Sequence, residues 1–391
     1  MKEAIVRQEN MLDKNFVQEI MSGTIGKKIL KCIQCGTCSG ACPISSYMEF
    51  TPRRIVNFIR EGFKNEVIKV AYDCLTCGQC GLYCPSGIET KELWHTIREI
   101  AYNLGQAPEE MMFAGEIIAD LHNVWGGLPQ NRTDWLKQTG LEKEAFKDEA
   151  DVVYFASCTA SYQEVSQGIA RSSAELLTKL NEKWTLLDEE WCCGTPLIYI
   201  GDREKAGEFA RHNLEEFEKK KVKLVITSCP TCYRTLKVEY PRLLHIKPSF
   251  EVMHMTEYIS TQLRKGNIRI TEKIPKTVTF HDPCDLSRES GIIEEPREIL
   301  RVVTDKFIEM PLHGTDTMCC GGGGLLQAVD EDLSSWTGVQ RIKQAEMIGA
   351  EVLTSACGAC KKYLSEAAEK VNSNIEIKDI TEILIPFVRT D

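Results

Sequence analysis

Apolar residues recur at helical spacing through the first quarter of the chain. In "TPRRIVNFIREG", Ile55, Val56 and Ile59 share one face. Thr51 is placed to cap, Pro52 takes the first helical position and Gly62 marks the stop. "NEVIKVAYDC" and "ELWHTIREIAYNL" predict two further helices, whereas "VWGGLPQNRTDW" predicts loop or linker. From residue 151 the pattern changes. "DVVYFAS", "KTVTF", "VKLVITS" and "EVLTS" are short β-branched apolar runs, each the length of a buried strand. Amphipathic stretches lie between them. "REKAGEFARHNLEEFEKK" puts Ala206, Phe209, Ala210, Leu214 and Phe217 on one face; "SSWTGVQRIKQAEMIG" does so with Trp336, Val339 and Ile342 and closes at Gly349. Strand, helix, strand in this order predicts parallel α/β layers.

The second pattern occurs twice. Laid against each other, 151–246 and 277–372 carry the same succession of strand, cysteine, "CCG", helix, strand and C-x2-C. Matching cysteines stay in step, from Cys158 and Cys284 to Cys232 and Cys360. So little drift over so long a span indicates duplication. The chain therefore divides into 1–100, a helical linker at 101–150, and two related units at 151–270 and 271–391.

Cysteine then decides the chemistry. All 18 in the 391 residues fall into motifs. With no secretory leader in "MKEAIVRQEN", that usage points to metal or redox chemistry, not a disulfide framework. "CIQCGTCSGACP" (Cys32 to Pro43) and "CLTCGQCGLYCP" (Cys74 to Pro85) both fit C-x2-C-x2-C-x3-C-P. In that spacing the fourth cysteine serves the other cluster. Cys32, Cys35, Cys38 and Cys84 are thus expected to hold one cubane 4Fe–4S cluster, and Cys74, Cys77, Cys80 and Cys42 a second. Gly36, Gly40, Gly78 and Gly81 allow backbone N–H groups near the sulfurs. Paired zinc sites explain the duplicated four-cysteine runs poorly. The intervening helices resemble the helical dicluster ferredoxin domain of respiratory iron–sulfur subunits.

Each duplicated unit offers five thiols: Cys158, Cys192, Cys193, Cys229 and Cys232 in the first; Cys284, Cys319, Cys320, Cys357 and Cys360 in the second. Cys158, Cys229, Cys284 and Cys357 follow predicted strands, where parallel sheets place their sites. Five exceed what a cubane needs and suit a larger or irregular iron–sulfur cluster. The spacings C-x33-CC-x35-C-x2-C and C-x34-CC-x36-C-x2-C resemble the paired CCG domains of heterodisulfide reductase catalytic subunits. With the dicluster part in front, about residues 25–391 resemble the fused D-type subunit of that family. The resemblance implies two non-cubane 4Fe–4S clusters facing an active site, with both five-cysteine sets catalytic. It also implies an electron donor, either a flavoprotein of the A type or a membrane cytochrome, and a small disulfide or thiol as substrate.

Other candidates are weaker. His281, in "FHDPC", precedes a ligand and is a candidate proton donor or a hydrogen-bond partner of cluster sulfur. Gly194, Gly321 and Gly322 are candidates for bringing N–H groups to a cluster. His95 and His122 read as packing residues, Pro230 and Pro283 as shaping ligand turns. A formal charge of −10 with only "KKKVK" as a basic run argues against nucleic acid. No apolar run approaches the roughly 20 residues of a membrane span, so the expectation is a cytoplasmic protein that meets a membrane only through a partner. The residues leave one functional alternative. Iron–sulfur subunits of quinone-linked glycerol-3-phosphate, lactate or glycolate dehydrogenases, or of larger anaerobic complexes, share this layout and only relay electrons.

Overall fold

The computed structural model describes residues 12–48 and 51–390. The N-terminal stretch "MKEAIVRQEN", read above for a secretory leader, falls in 1–11, outside the described residues. Helices dominate the first part: Lys14–Ser22, Thr24–Ile29, Pro52–Glu61, Lys64–Ala71, Thr90–Asn103 and Glu109–Leu121. The helix Pro52–Glu61 buries Pro52, Ile55, Val56 and Ile59 and stops at Gly62, whose φ of 87° only glycine adopts freely. Thr51 stands at the N-cap, yet its side chain makes no capping bond. After Leu121 the linker is irregular, with short 3-10 turns at Pro129–Asn131 and Asp134–Gln138.

Two parallel sheets follow. The first contains β1 (Val152–Phe155), β2 (Trp184–Thr185), β3 (Leu224–Thr227) and β4 (Glu251–His254), in spatial order β2-β1-β3-β4. β5 (Arg269–Ile270) lies in the connection between units. The second sheet contains β6 (Val278–Phe280), β7 (Val352–Ser355) and β8 (Glu376–Asp379), ordered β6-β7-β8. Val278 also bridges Phe307 in parallel, so a fourth position exists beside β6 as it does beside β1. The terminal strand β9 (Val388–Arg389) returns to pair antiparallel with β5. β1 and β7 are buried along their whole length, as strands covered by helices on both faces must be.

The helix Arg203–Lys219 buries the predicted face, including Ala206, Phe209, Ala210, Leu214 and Phe217. Of the predicted face, its counterpart Glu331–Met347 buries Ile342 alone. Its inner face is Leu333, Thr337, Gly338, Arg341, Ile342 and Ala345, and Trp336 and Val339 are only half-buried. The rotation follows from two contacts. A Cβ on Gly338 would stand 3.0 Å from the Cys320 carbonyl oxygen, so that helix face lies hard against the cysteine loop. Trp336 instead meets Tyr47 of the N-terminal part, ring centroids 5.4 Å apart. Among the described residues no helix is long and apolar enough to cross a membrane.

Candidate functional site

The two ferredoxin-like runs fold alike. In each, the second residue after the first cysteine takes a left-handed backbone (Gln34, φ 57°; Thr76, φ 48°), and Gly36 and Gly78 do so two positions later. Short helices, Thr37–Ala41 and Gln79–Leu82, then carry the third cysteine. Successive left-handed turns of this kind direct N–H groups into one concavity, and the Thr76 N–H reaches the Cys74 sulfur at 3.3 Å. The fourth cysteines cross over. Cys84 is a charge neighbour of Cys38, and Cys42 neighbours Cys74 and Cys77. The two sets differ in exposure: Cys35 is exposed, while Cys77 and Cys80 are buried.

Cys42, Cys74, Cys77 and Cys80 surround a cavity of about 40 Å³. Burial pushes the Cys42 thiol up to about 12 and the Cys77 thiol up to about 11. Thiols so placed stay neutral on their own, and a metal that takes them as thiolates removes that cost. The donor set fits a thiolate-ligated metal group.

The ten cysteines of the duplicated units form one unbroken row. Side-chain hydrogen-bonding contacts join Cys158 to Cys192, Cys192 to Cys193, Cys193 to Cys232 and Cys232 to Cys229. Cys229 touches Cys357, which crosses between units. The row continues through Cys360, Cys320 and Cys319 to Cys284. Cys320 and Cys360 lie 3.4 Å apart. Hydrogen bonds from Cys229 and Cys360 bring Cys357 down to about 6, while its neighbour Cys360 is pushed up. A buried row cannot hold a negative charge on every sulfur: Cys158, Cys193, Cys357 and Cys320 are lowered, while Cys192, Cys232, Cys229, Cys360 and Cys319 are pushed up. The ends of the row differ. Cys284 is a charge neighbour of Cys77 in the second ferredoxin-like set. At the other end, Cys158, Cys192, Cys193, Cys229 and Cys232 line a cavity of about 390 Å³. Trp125, Tyr199, Gly322, Leu325 and Tyr363 close it, and no cysteine of the second unit reaches it.

Second contacts fix this row. Glu190 accepts from the Ala156 and Ser157 N–H groups and pairs with the buried Arg132 at 2.7 Å; the Arg132 guanidinium reaches the Cys158 sulfur at 3.6 Å. In the second unit, His281 is 1% exposed and accepts at Nδ1 from Arg341 Nε, 3.0 Å away. Its proton therefore sits on Nε2, which has no oxygen or nitrogen partner. The ring, Cys320 and Cys360 place ligand atoms within 4.8 Å of one another. Burial lowers the His281 pKa, keeping it a neutral donor toward sulfur. His281 does not line the cavity. Asp282 is held by Arg297 at 2.8 Å, a structural pair.

The glycines answer to packing. Gly321 has φ 97°, and a Cβ there would stand 2.2 Å from the Ser334 carbonyl oxygen. Gly324 has φ 64°, and its Cβ would stand 2.4 Å from the Cys74 carbonyl oxygen. Gly322 lies against the Tyr363 ring and Gly194 against Ala206. The run "GGGG" is where the Cys74 loop docks on the second unit. Arg98 staples that junction, donating to the carbonyls of Ala71, Tyr199, Gly324 and Cys74 at 2.7–3.0 Å. Arg288 donates to the Cys77 carbonyl at 2.6 Å, and Lys91 pairs with Asp285 at 2.6 Å. The sequence reading missed these. Arg98 left a trace, as a cation in the apolar stripe with Trp94, Ile97 and Ala101; Arg132, in a segment read as loop, left none.

The cysteine-rich domain family (CCG) matches residues 152–237 and 278–365, and the 4Fe-4S dicluster domain family matches 28–88. The D-type subunit of the dihydromethanophenazine:CoB--CoM heterodisulfide reductase of Methanosarcina barkeri is 35% identical over 305 residues, covering 76% of this chain and 73% of that protein. This chain belongs to the family of heterodisulfide reductase D-type subunits. It is an iron–sulfur oxidoreductase of the CCG type, and the segments matched by the two family models contain the cysteine sets described above. Relatives of other function share part of it. The EtfAB:quinone oxidoreductase of Syntrophomonas wolfei is 26% identical over 296 residues, which is 72% of this chain and 41% of that protein. A hypothetical protein from Helicobacter pylori shares the fold, with TM-score 0.52 and 12% identity over 98% of this chain and 74% of its own.

Proposed function

We propose that this chain is a thiol:disulfide oxidoreductase subunit, with the cavity of the first CCG unit as the place where a disulfide is reduced or its thiols oxidised. The observation that carries this is the row of ten buried thiols that opens on a ligand-sized cavity at one end and meets the ferredoxin-like set at the other. The net change is R–S–S–R′ + 2 e⁻ + 2 H⁺ → R–SH + R′–SH. Cys32, Cys35, Cys38 and Cys84 hold one cubane cluster, Cys42, Cys74, Cys77 and Cys80 the other, and each five-cysteine set a non-cubane one. Bound there, these groups supply one-electron storage and iron open to a substrate sulfur.

The chain's own residues position, shield and dock. Arg132 and His281 stabilise charge on Cys158 and Cys320. Tyr363 and Trp125 cover the cavity. Arg98 and Arg288 hold the Cys74–Cys77 loop against the second unit. Electrons enter from a flavoprotein or membrane cytochrome at the exposed first cysteine run, where Cys35 is flanked by Leu30 (62% exposed) and Ile33 (69%).

Anaerobic purification, iron counting and EPR of the oxidised protein with added thiols test this. About 16 irons, four per cluster, with a new paramagnetic signal on thiol addition is the expected result. A full iron count with no response to any thiol assigns the chain to electron relay, with chemistry on a partner. About eight irons would show that the CCG units hold no clusters.

A further inference from the structure

The surface around the first cysteine run reverses the charge of the rest of the chain, and this inference rests on the reading that electrons enter there. The whole chain has a formal charge of −10, yet residues 20–60 hold six cations, Lys27, Lys28, Lys31, Arg53, Arg54 and Arg60, and one carboxylate, Glu49. The fold gathers several of these cations about one thiol. Among the 18 cysteines Cys35 alone is exposed. Lys27 and Lys28 lie in the last turn of the helix Thr24–Ile29, and Lys31 directly precedes Cys32. From the helix Pro52–Glu61, Arg53 runs along the Cys35 loop, its Cδ 3.8 Å from where a Cβ on Gly36 would stand. Arg60 donates to the Cys32 carbonyl at 3.3 Å.

Little neutralises this charge. Lys28 pairs with Glu89 at 2.5 Å, but among the described residues no carboxylate pairs with Lys27, Lys31, Arg53 or Arg60, and all four are exposed. Leu30 and Ile33, interleaved with the lysines, are exposed as well. Apolar side chains bordered by charge are the anatomy of a protein-docking surface. The charges set the sign of the partner, because opposite potentials speed encounter and like charges facing each other are costly. A lipid headgroup would satisfy the cations but has no electron to give. Electron tunnelling falls steeply with distance, so the occupant must bring a redox group close to Cys35.

We propose that this face docks an electron-donating protein whose own redox group is set in an acidic surface. Lys27, Lys31 and Arg53 receive its carboxylates, and Leu30 and Ile33 make the apolar contact beside Cys35. Each encounter oxidises the reduced partner by one electron, which passes to the group held by Cys32, Cys35, Cys38 and Cys84; no proton moves.

The test uses flavodoxin, an acidic one-electron carrier protein, and the methyl viologen radical cation, a small donor of opposite charge. Calorimetric affinity for flavodoxin, and the rate at which reduced flavodoxin reduces the oxidised holoprotein, should both fall at least about tenfold between about 50 mM and about 500 mM salt. Combined Lys27→Glu, Lys31→Glu and Arg53→Glu should lower both at least about tenfold at low salt. The same reversals should speed reduction by viologen at unchanged iron content, a change of sign that a damaged fold does not produce. Lys223→Glu, on the first CCG unit, should leave both donors as they were. Rapid-freeze EPR identifies the first group reduced, by reference to the signal missing from Cys84→Ala. Reduction of that group first, with flavodoxin failing to bind at low salt or binding regardless of salt and of the reversals, would overturn the acidic partner and leave the point of entry standing. Should the chain then bind phosphatidylglycerol vesicles instead, the cations would belong to a lipid surface. Another group reduced first would remove the entry reading and this inference together.

Discussion

Replacing Arg98 with methionine tests how the two cluster-bearing parts are joined. Arg98 is fully buried, with 0% exposure, and among the described residues no carboxylate pairs with it. Its stabilisation comes from four carbonyl oxygens, on Ala71, Cys74, Tyr199 and Gly324, which belong to the ferredoxin-like part and both CCG units. Hydrogen bonds to a charged donor contribute about 1.5–3 kcal/mol each. Four of them give roughly 6–12 kcal/mol gross. Against this stands the desolvation of a buried guanidinium, several kcal/mol, and burial indeed holds the Arg98 pKa below the ordinary arginine value. The difference leaves a net cost for Arg98→Met of about 3–5 kcal/mol, since the methionine also strands the four acceptors.

Arg98→Lys should recover at most half, because one ammonium cannot span acceptors in three segments. Denaturant unfolding followed by tryptophan fluorescence reads the stability. Iron content and the rate at which dithionite reduces the buried clusters read the junction. A loss below about 1 kcal/mol in Arg98→Met, or a lysine variant equal to the natural chain, would refute the stapling argument.

Two further outcomes follow from named groups. Asp379 is buried, and burial followed by the Glu382 charge raises its pKa from 3.8 to about 7. A raised carboxyl contributes stability that is present below pH 3.8 and lost as pH climbs through 7; Asp379→Asn, whose amide keeps the cap on Thr381 and fills the unpartnered Oδ2 position, should therefore match the natural chain near pH 3.5, exceed it by about 1.5 kcal/mol at pH 5 and by up to about 4 kcal/mol at pH 8, and a difference that does not change with pH would count against it. Cys84→Ala and Cys42→Ala should each lose about four irons, but from different clusters by EPR, because Cys84 neighbours Cys38 while Cys42 neighbours Cys74 and Cys77; loss of the same signal in both would refute the crossed arrangement.

What the sequence made legible is what repeats at fixed spacing. Strands leading into cysteine and the helix Pro52–Glu61 have local causes, and both are found. The buried face of Glu331–Met347 was legible only at Ile342, because Gly338 and Arg341 count as polar or neutral in a periodicity but sit at its closest contacts. The "GGGG" run was legible as special, though its reason is a loop more than 240 residues earlier in the chain, at Cys74 and Leu75. Pairings across such distances, including Arg132 on Cys158 and Arg98 on Gly324, have no local signature.

The duplication also explains why the row of thiols has a direction. Each CCG unit begins with the equivalent cysteine, Cys158 or Cys284, placed after an equivalent strand, β1 or β6. Facing the units so that Cys229 meets Cys357 puts those two first cysteines at opposite ends of the row. One ferredoxin-like part can cover only one end. Its Cys74–Cys77 loop lies on the second unit, beside Cys284, where Arg288, Lys91 and the glycine run make the contact. Cys158 is left to the cavity, and there the neighbours have diverged: Arg132 and Glu190 stand behind it, with Trp125 over the opening. Two copies of one unit thus acquire different surroundings from a single asymmetric contact, the second facing the ferredoxin-like cysteine set and the first facing the cavity.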